Sequence, residues 1–263
     1  MRMQTPSVGA FAVSHRIRGC LSILFMLAFA AQAHADALTG LRTTLQGLSA
    51  GKPLRATLEL RSVTHGDGQS QPAQATLRIG VTSDAAGLHL DFAPDLLRRA
   101  ADEAAAHARN KDRPTPIADL LDRVGATQVQ AMVDFAPALL RMLDGATLAG
   151  QASSTHDGIP ARLLTFDVPM PPSASKQMTV KRYVDRVQVW LDASGVPVAV
   201  RETTALDGRK LFISIDFDST SDYELRVVAG RLVAVSRHTV QHQAVFGHGS
   251  DSVIDATLTP DGN

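Results

Sequence analysis

The feature that most constrains this chain is a period of two. Leu54, Ala56, Leu58 and Leu60 alternate with Arg55, Thr57, Glu59 and Arg61, and Ala75, Leu77, Ile79 and Val81 alternate with Thr76, Arg78, Gly80 and Thr82. Successive side chains on a strand point to opposite faces, so each run predicts a strand with one dry and one wet side. His65-Gly66-Asp67-Gly68 turns the chain between them, and after Asp84-Ala85-Ala86-Gly87 the run Leu88, Leu90, Phe92 keeps the pattern. Three such strands in succession form an antiparallel meander.

Two stretches break this period. Leu38, Leu41, Leu45 and Leu48 fall on one stripe of a helix that Gly51-Lys52-Pro53 stops. From Pro94 to Gly145 the pattern is again helical: "PDLLRRAADEAAAHARN" is rich in good helix formers, Thr115-Pro116 opens a second helix that ends at Gly125, and Val129, Met132, Val133, Ala136, Leu139, Leu140 and Leu143 share a face of a third. Pro137 must kink or split that third helix.

Strand pattern resumes at Leu148 and continues almost to the end. Asp157-Gly158, Ala193-Ser194-Gly195, Ala229-Gly230 and Gly247-His248-Gly249 mark turns, Asp207-Gly208 is a strong hairpin signal, and Leu211, Ile213, Ile215 and Phe217 follow it on one face. About ten antiparallel strands with helices in two clusters predict an α+β fold: a large curved sheet with the helices packed on one side. No fixed-period repeat or linker divides the chain, so residues 36–263 read as one domain with a helical insertion at 94–145.

Residues 1–35 have another character. Arg16 and Arg18 precede the apolar run Leu21 to Ala31, and Ala33-His34-Ala35 has the small-x-small pattern of a signal-peptidase site, so this segment reads as a cleaved signal peptide directing the chain to the periplasm. The run is shorter than the roughly 20 apolar residues of a spanning helix. The lone cysteine, Cys20, precedes it, so no disulfide is expected in the exported chain. Cleavage also removes Arg2, Arg16 and Arg18, which takes the 26 basic residues to 23 against 26 acidic ones. That mild negative charge gives no electrostatic reason for a nucleic-acid partner.

Constellations of chemical interest are few. His238, His242 and His248 invite a metal reading, but His238 and His242, on one strand face, stand about 13 Å apart at the strand rise, too far for one ion to bridge without a bulge. "GHGSDS", Gly247 to Ser252, lacks the Gly-x-Ser-x-Gly frame of a nucleophile elbow and reads as a turn. Asp216, Asp218 and Asp222 lack the glycine and closing glutamate of a calcium loop and read as a solvated strand end. No catalytic group, metal or cofactor is therefore expected. The face carrying Leu232, Ala234, Ser236, His238, Val240, His242, Ala244 and Phe246 mixes apolar and polar groups, as a ligand-lined interior does. A strand that switches faces at a bulge near Thr239 gives the same mixture. Trp190 either covers an inserted helix or stacks on a ligand. The stripe with Met132 and Leu139 either docks in the concavity as a lid or is permanent core. On the ligand-lined reading, Trp190, His238, Val240, His242, Met132 and Leu139 contact the guest.

The sequence resembles the half-barrel of the periplasmic lipoprotein carrier family. The residues that carry this are the signal segment, the leucine-striped first helix leading into "LRATLEL", the hairpin series, and "VQVWLDASGVPVAVRETTALDGRKLFISIDF", a strand with a tryptophan-leucine-aspartate end, a Gly-x-Pro turn and a return strand. The resemblance covers most of the chain as architecture and some thirty residues as motif. It implies a monomeric, non-enzymatic carrier that holds a lipid, a lipoprotein acyl chain or another apolar ligand between sheet and helices. Two other readings stay open: an envelope protein-interaction or stress-sensing module whose half-barrel is plugged, and a periplasmic hydrolase or metal enzyme using His238, His242 or Asp216.

Overall fold

A computed structural model describes residues 37–49, 51–67, 71–172 and 178–261. The segment read as a signal peptide lies outside the described residues. A first helix, α1, covers residues 37–47 with Leu41 and Leu45 buried. Then come β1 (Leu54–Gly66), β2 (Ala73–Asp84) and β3 (Gly87–Phe92), followed by four helices, α2 (Pro94–Arg109), α3 (Pro116–Arg123), α4 (Ala126–Val133) and α5 (Phe135–Met142). The remaining strands are β4 (Thr147–His156), β5 (Ile159–Asp167), β6 (Thr179–Leu191), β7 (Pro197–Lys210), β8 (Ile213–Val228), β9 (Arg231–Val245) and β10 (His248–Pro260). Among the described residues no helix is long and apolar enough to cross a membrane.

All ten strands form one open antiparallel sheet in the order β3-β2-β1-β10-β9-β8-β7-β6-β5-β4, the expected α+β half-barrel. β1 pairs with both β2 and β10, so the first and last strands meet inside the sheet and β3 and β4 become its edges. The helices join those two edges and must therefore cross one face. α3 lies on β2, and α4 and α5 lie on β9. The dry side of each alternating run faces them: Leu58 stands between Ile79 and Leu258, and Leu60 between Leu77 and Ala256. All six are at most 4 % exposed.

Local chemistry sets the helix boundaries. The third helical stretch splits at Asp134, and Pro137 falls in the first turn of α5, where no intrahelical partner is needed for its missing N–H. Glu103 on α2 reaches the start of α3, where its Oε2 accepts from the backbone N–H of Ile117 (2.8 Å) and Ala118 (3.1 Å). The carboxylate thus caps free amides at the positive end of that helix. At the turn after β6, Asp192 Oδ1 accepts from Ser194 N (2.8 Å), Ser194 Oγ (2.7 Å) and Val196 N (2.9 Å). Burial would raise this carboxyl, but these hydrogen bonds outweigh it and hold it below the usual range.

Three expectations are corrected. Asp207 and Gly208 do not make a hairpin turn; they lie inside β7, opposite Asp216 and Ile215, and the turn falls on Leu211-Phe212. Gly208 is needed for close approach instead, since an added Cβ would lie 2.7 Å from Met178 Cε and 2.9 Å from Thr179 O. Asp216, Asp218 and Asp222 are not a strand end; they are interior residues of β8, which runs unbroken from Ile213 to Val228. The face switch in β9 is real but sits earlier than Thr239: pairing with β8 shifts between Glu224/Leu225, leaving Val235 unpaired between Ala234 and Ser236. One extra residue there reverses the facing of everything after it.

Candidate functional site

A cavity of about 460 Å³ lies between the helix-covered face of the sheet and helices α3 and α4. Its helical side is mostly apolar, with Leu120, Val124, Val129 and Met132, and Leu58, Leu60 and Ile254 continue that surface on β1 and β10. The sheet side differs, because the β9 bulge turns Arg237, Thr239, Gln241 and Gln243 inward beside Ser219 and Ser221 of β8. Ser221 and Thr239 stand directly opposite each other and share a hydrogen bond of 2.9 Å between their hydroxyls. Arg123 and Gln128 complete the polar rim from the helices. The cavity therefore has one oily wall and one wall of neutral hydrogen-bonding groups with an arginine at either side, and its volume falls in the usual range for small-molecule sites.

Next to Arg237 the inner face carries an ionisable row. Asp185 (β6), Glu202 (β7), Tyr223 (β8) and Arg237 (β9) occupy successive strands; Tyr223 is directly opposite Arg237, and Glu202 is opposite Ser221. Burial pushes the Glu202 carboxyl up, the negative charge of Asp185 adds to the effect, and Arg237 opposes it. Asp185 is also raised by burial, against a hydrogen bond from Tyr183 Oη to its Oδ2 at 3.1 Å. Tyr183 is pushed up to about 12, by burial first and then by Asp185. Asp185 Oδ1 and Arg237 Nε are buried with no hydrogen-bond partner.

The six residues expected to contact a guest are not brought together. Met132 lines the cavity, whereas Leu139 is fully buried in the core. His238, Val240 and His242 project from the opposite, solvent-facing side of the sheet, because the bulge at Val235 precedes them. There His238 Nδ1 meets Asp255 Oδ1 at 2.6 Å and His242 Nδ1 meets Asp251 Oδ1 at 2.8 Å. The Asp251 hydrogen bond is the main reason that the His242 imidazole is raised. Asp222 and Asp218 are their opposite neighbours on β8. Trp190 is also on the outer side, where its indole N–H donates to Ser154 Oγ at 3.3 Å and its ring lies 6.2 Å from that of His156. The β4–β5 hairpin thus folds over the tryptophan, and His156 Nε2 reaches Glu224 Oε2 at 2.9 Å. His156, Asp157 and Glu224 offer ligand atoms within 4.8 Å of one another, the one group of metal-ligating side chains found among the described residues. The polar wall of the cavity escaped the sequence reading because period-two counting carries the wrong parity past Val235. The signal was present in Val233 and Val235, apolar residues on what that counting made the other face.

Among known proteins, the chain matches no family model, no curated sequence and no solved structure.

Proposed function

We propose that this protein is a non-enzymatic binding protein of the exported envelope type, which holds the apolar chain of an amphiphile in the cavity between the half-barrel and α3–α4. The reading rests on one observation above others: a cavity of about 460 Å³ remains after the chain's own helices have covered the sheet, with an apolar wall facing a polar one. Each methylene moved from water to such a wall contributes roughly 0.8 kcal/mol, so a chain of modest length binds without a specific polar code. Arg237 and the glutamines supply partners for the ligand's polar end. Lipids and lipoprotein acyl chains both fit this description.

A second reading, a plugged interaction or stress-sensing module, draws on α5. Leu139 is fully buried, and Phe135 packs against Tyr223 with ring centroids 4.9 Å apart, so that part of the half-barrel is filled by the chain itself. The two readings separate on occupancy. Protein purified under native conditions from the cell envelope is expected to carry an extractable acyl species, visible as an added mass by native mass spectrometry. Gln241→Trp, which fills the cavity from the sheet side, is expected to lose that mass while keeping the fold. An unliganded mass together with no rise in melting temperature on adding fatty acid or lysophospholipid contradicts the carrier reading.

A further inference from the structure

At one end of the sheet two neighbouring hairpin turns present large apolar side chains to solvent. Phe212 and Leu211 are the most exposed large hydrophobic residues described, at 92 % and 81 %, and Phe246 in the adjacent turn is 62 % exposed. The turns are held side by side: Ile215 pairs with Val245, and the Phe246 N–H donates to Ser214 O at 3.2 Å. Leu211 and Phe246 both have φ of 55°, a left-handed conformation that bulky side chains rarely adopt. Asparagine or glycine serves a tight hairpin better at such positions. Apolar residues are therefore kept where they cost both solvation and backbone strain, a combination that marks function. Arg209 and Lys210 adjoin them, both exposed and with no ion pair among the described residues.

We infer that these paired tips dock the protein on an anionic lipid bilayer, with Leu211, Phe212 and Phe246 entering the headgroup–acyl boundary and Arg209 and Lys210 meeting lipid phosphates. The chain is close to neutral overall, so two unpaired cations beside the apolar tips orient it. The cavity runs toward the same end, since its lining residues on β9 extend from Arg237 to Gln243, three positions before Phe246. The inference stands apart from the cavity's contents: tips that bind membrane around an empty cavity would keep it and remove the carrier reading.

The test uses protein expressed from the full-length chain, with vesicles of phosphatidylethanolamine containing about a quarter phosphatidylglycerol set against phosphatidylcholine vesicles. In the Phe212→Trp variant, brominated lipid is expected to quench the new indole at least about twofold on the anionic vesicles. Trp190 is an internal control: it is paired with Ala199, eleven residues along β7 from Lys210 or about 36 Å away, and is expected to stay unquenched in the unsubstituted protein. The triple variant Leu211→Asn, Phe212→Ser, Phe246→Asn relieves the strained turns, so it is expected to melt no lower than the parent while vesicle partitioning falls at least about tenfold. The inference is overturned by an unquenched new indole in the Phe212→Trp variant, by equal binding to both vesicle types, by undiminished partitioning of the triple variant, or by a tip-dependent dimer that forms without lipid.

Discussion

A glycine can mark a turn or a close contact, and Gly208 is decided by its neighbours. An alanine there meets Met178 Cε, which can swing aside, and Thr179 O at 2.9 Å, which is backbone and cannot. Gly208→Ala is expected to cost about 1–3 kcal/mol in chemical denaturation, with no change in the slope of the transition. The Glu202 carboxyl gives a pH signature. Its folded-state affinity for a proton exceeds that of the unfolded chain, so stability falls as pH rises from its ordinary value of 4.5 through the raised folded value. Glu202→Gln removes that penalty; its melting temperature is expected to exceed the parent's at neutral pH and to converge with it at lower pH. An unchanged pH profile would show that Arg237 already neutralises the carboxylate.

At the scale of elements, period and turn chemistry carried most of the fold. Leu54 to Leu60 and Ala75 to Val81 are strands with the anticipated dry face, and Pro116 and Pro137 stand in first helical turns. What the sequence did not reveal depends on contacts between distant residues. Gly208 serves a close approach to Met178 and Thr179 and not a turn, and the parity of β9 changes because Val235 has no partner on β8. Period-two counting cannot register an inserted residue, and the polar wall of the cavity went unseen for that reason. The helical wall is held in a checkable way. Glu103→Ala strips two amides at the start of α3 of their acceptor and is expected to cost about 1–2 kcal/mol, with a matching loss of ligand affinity because α3 carries Leu120 and Arg123. Glu103→Gln retains an acceptor oxygen and is expected to recover most of both.

For the whole molecule, the order of strands explains why a cavity exists at all. The first and last strands meet inside the sheet, both edges stay open, and short helices rather than a second sheet roof the concave side. Side chains of α4 and α5 fill the middle, over β9 and Tyr223, and leave the space between α3–α4 and the polar residues of β8 and β9. The expectation that an apolar chain occupies this space is checked with a photoreactive fatty acid. After irradiation and proteolysis, adducts are predicted on peptides containing residues 120–132 and 237–243, with labelling abolished in Gln241→Trp. Labelling confined to the outer face around His238 and His242, or no saturable labelling of the folded protein, contradicts it.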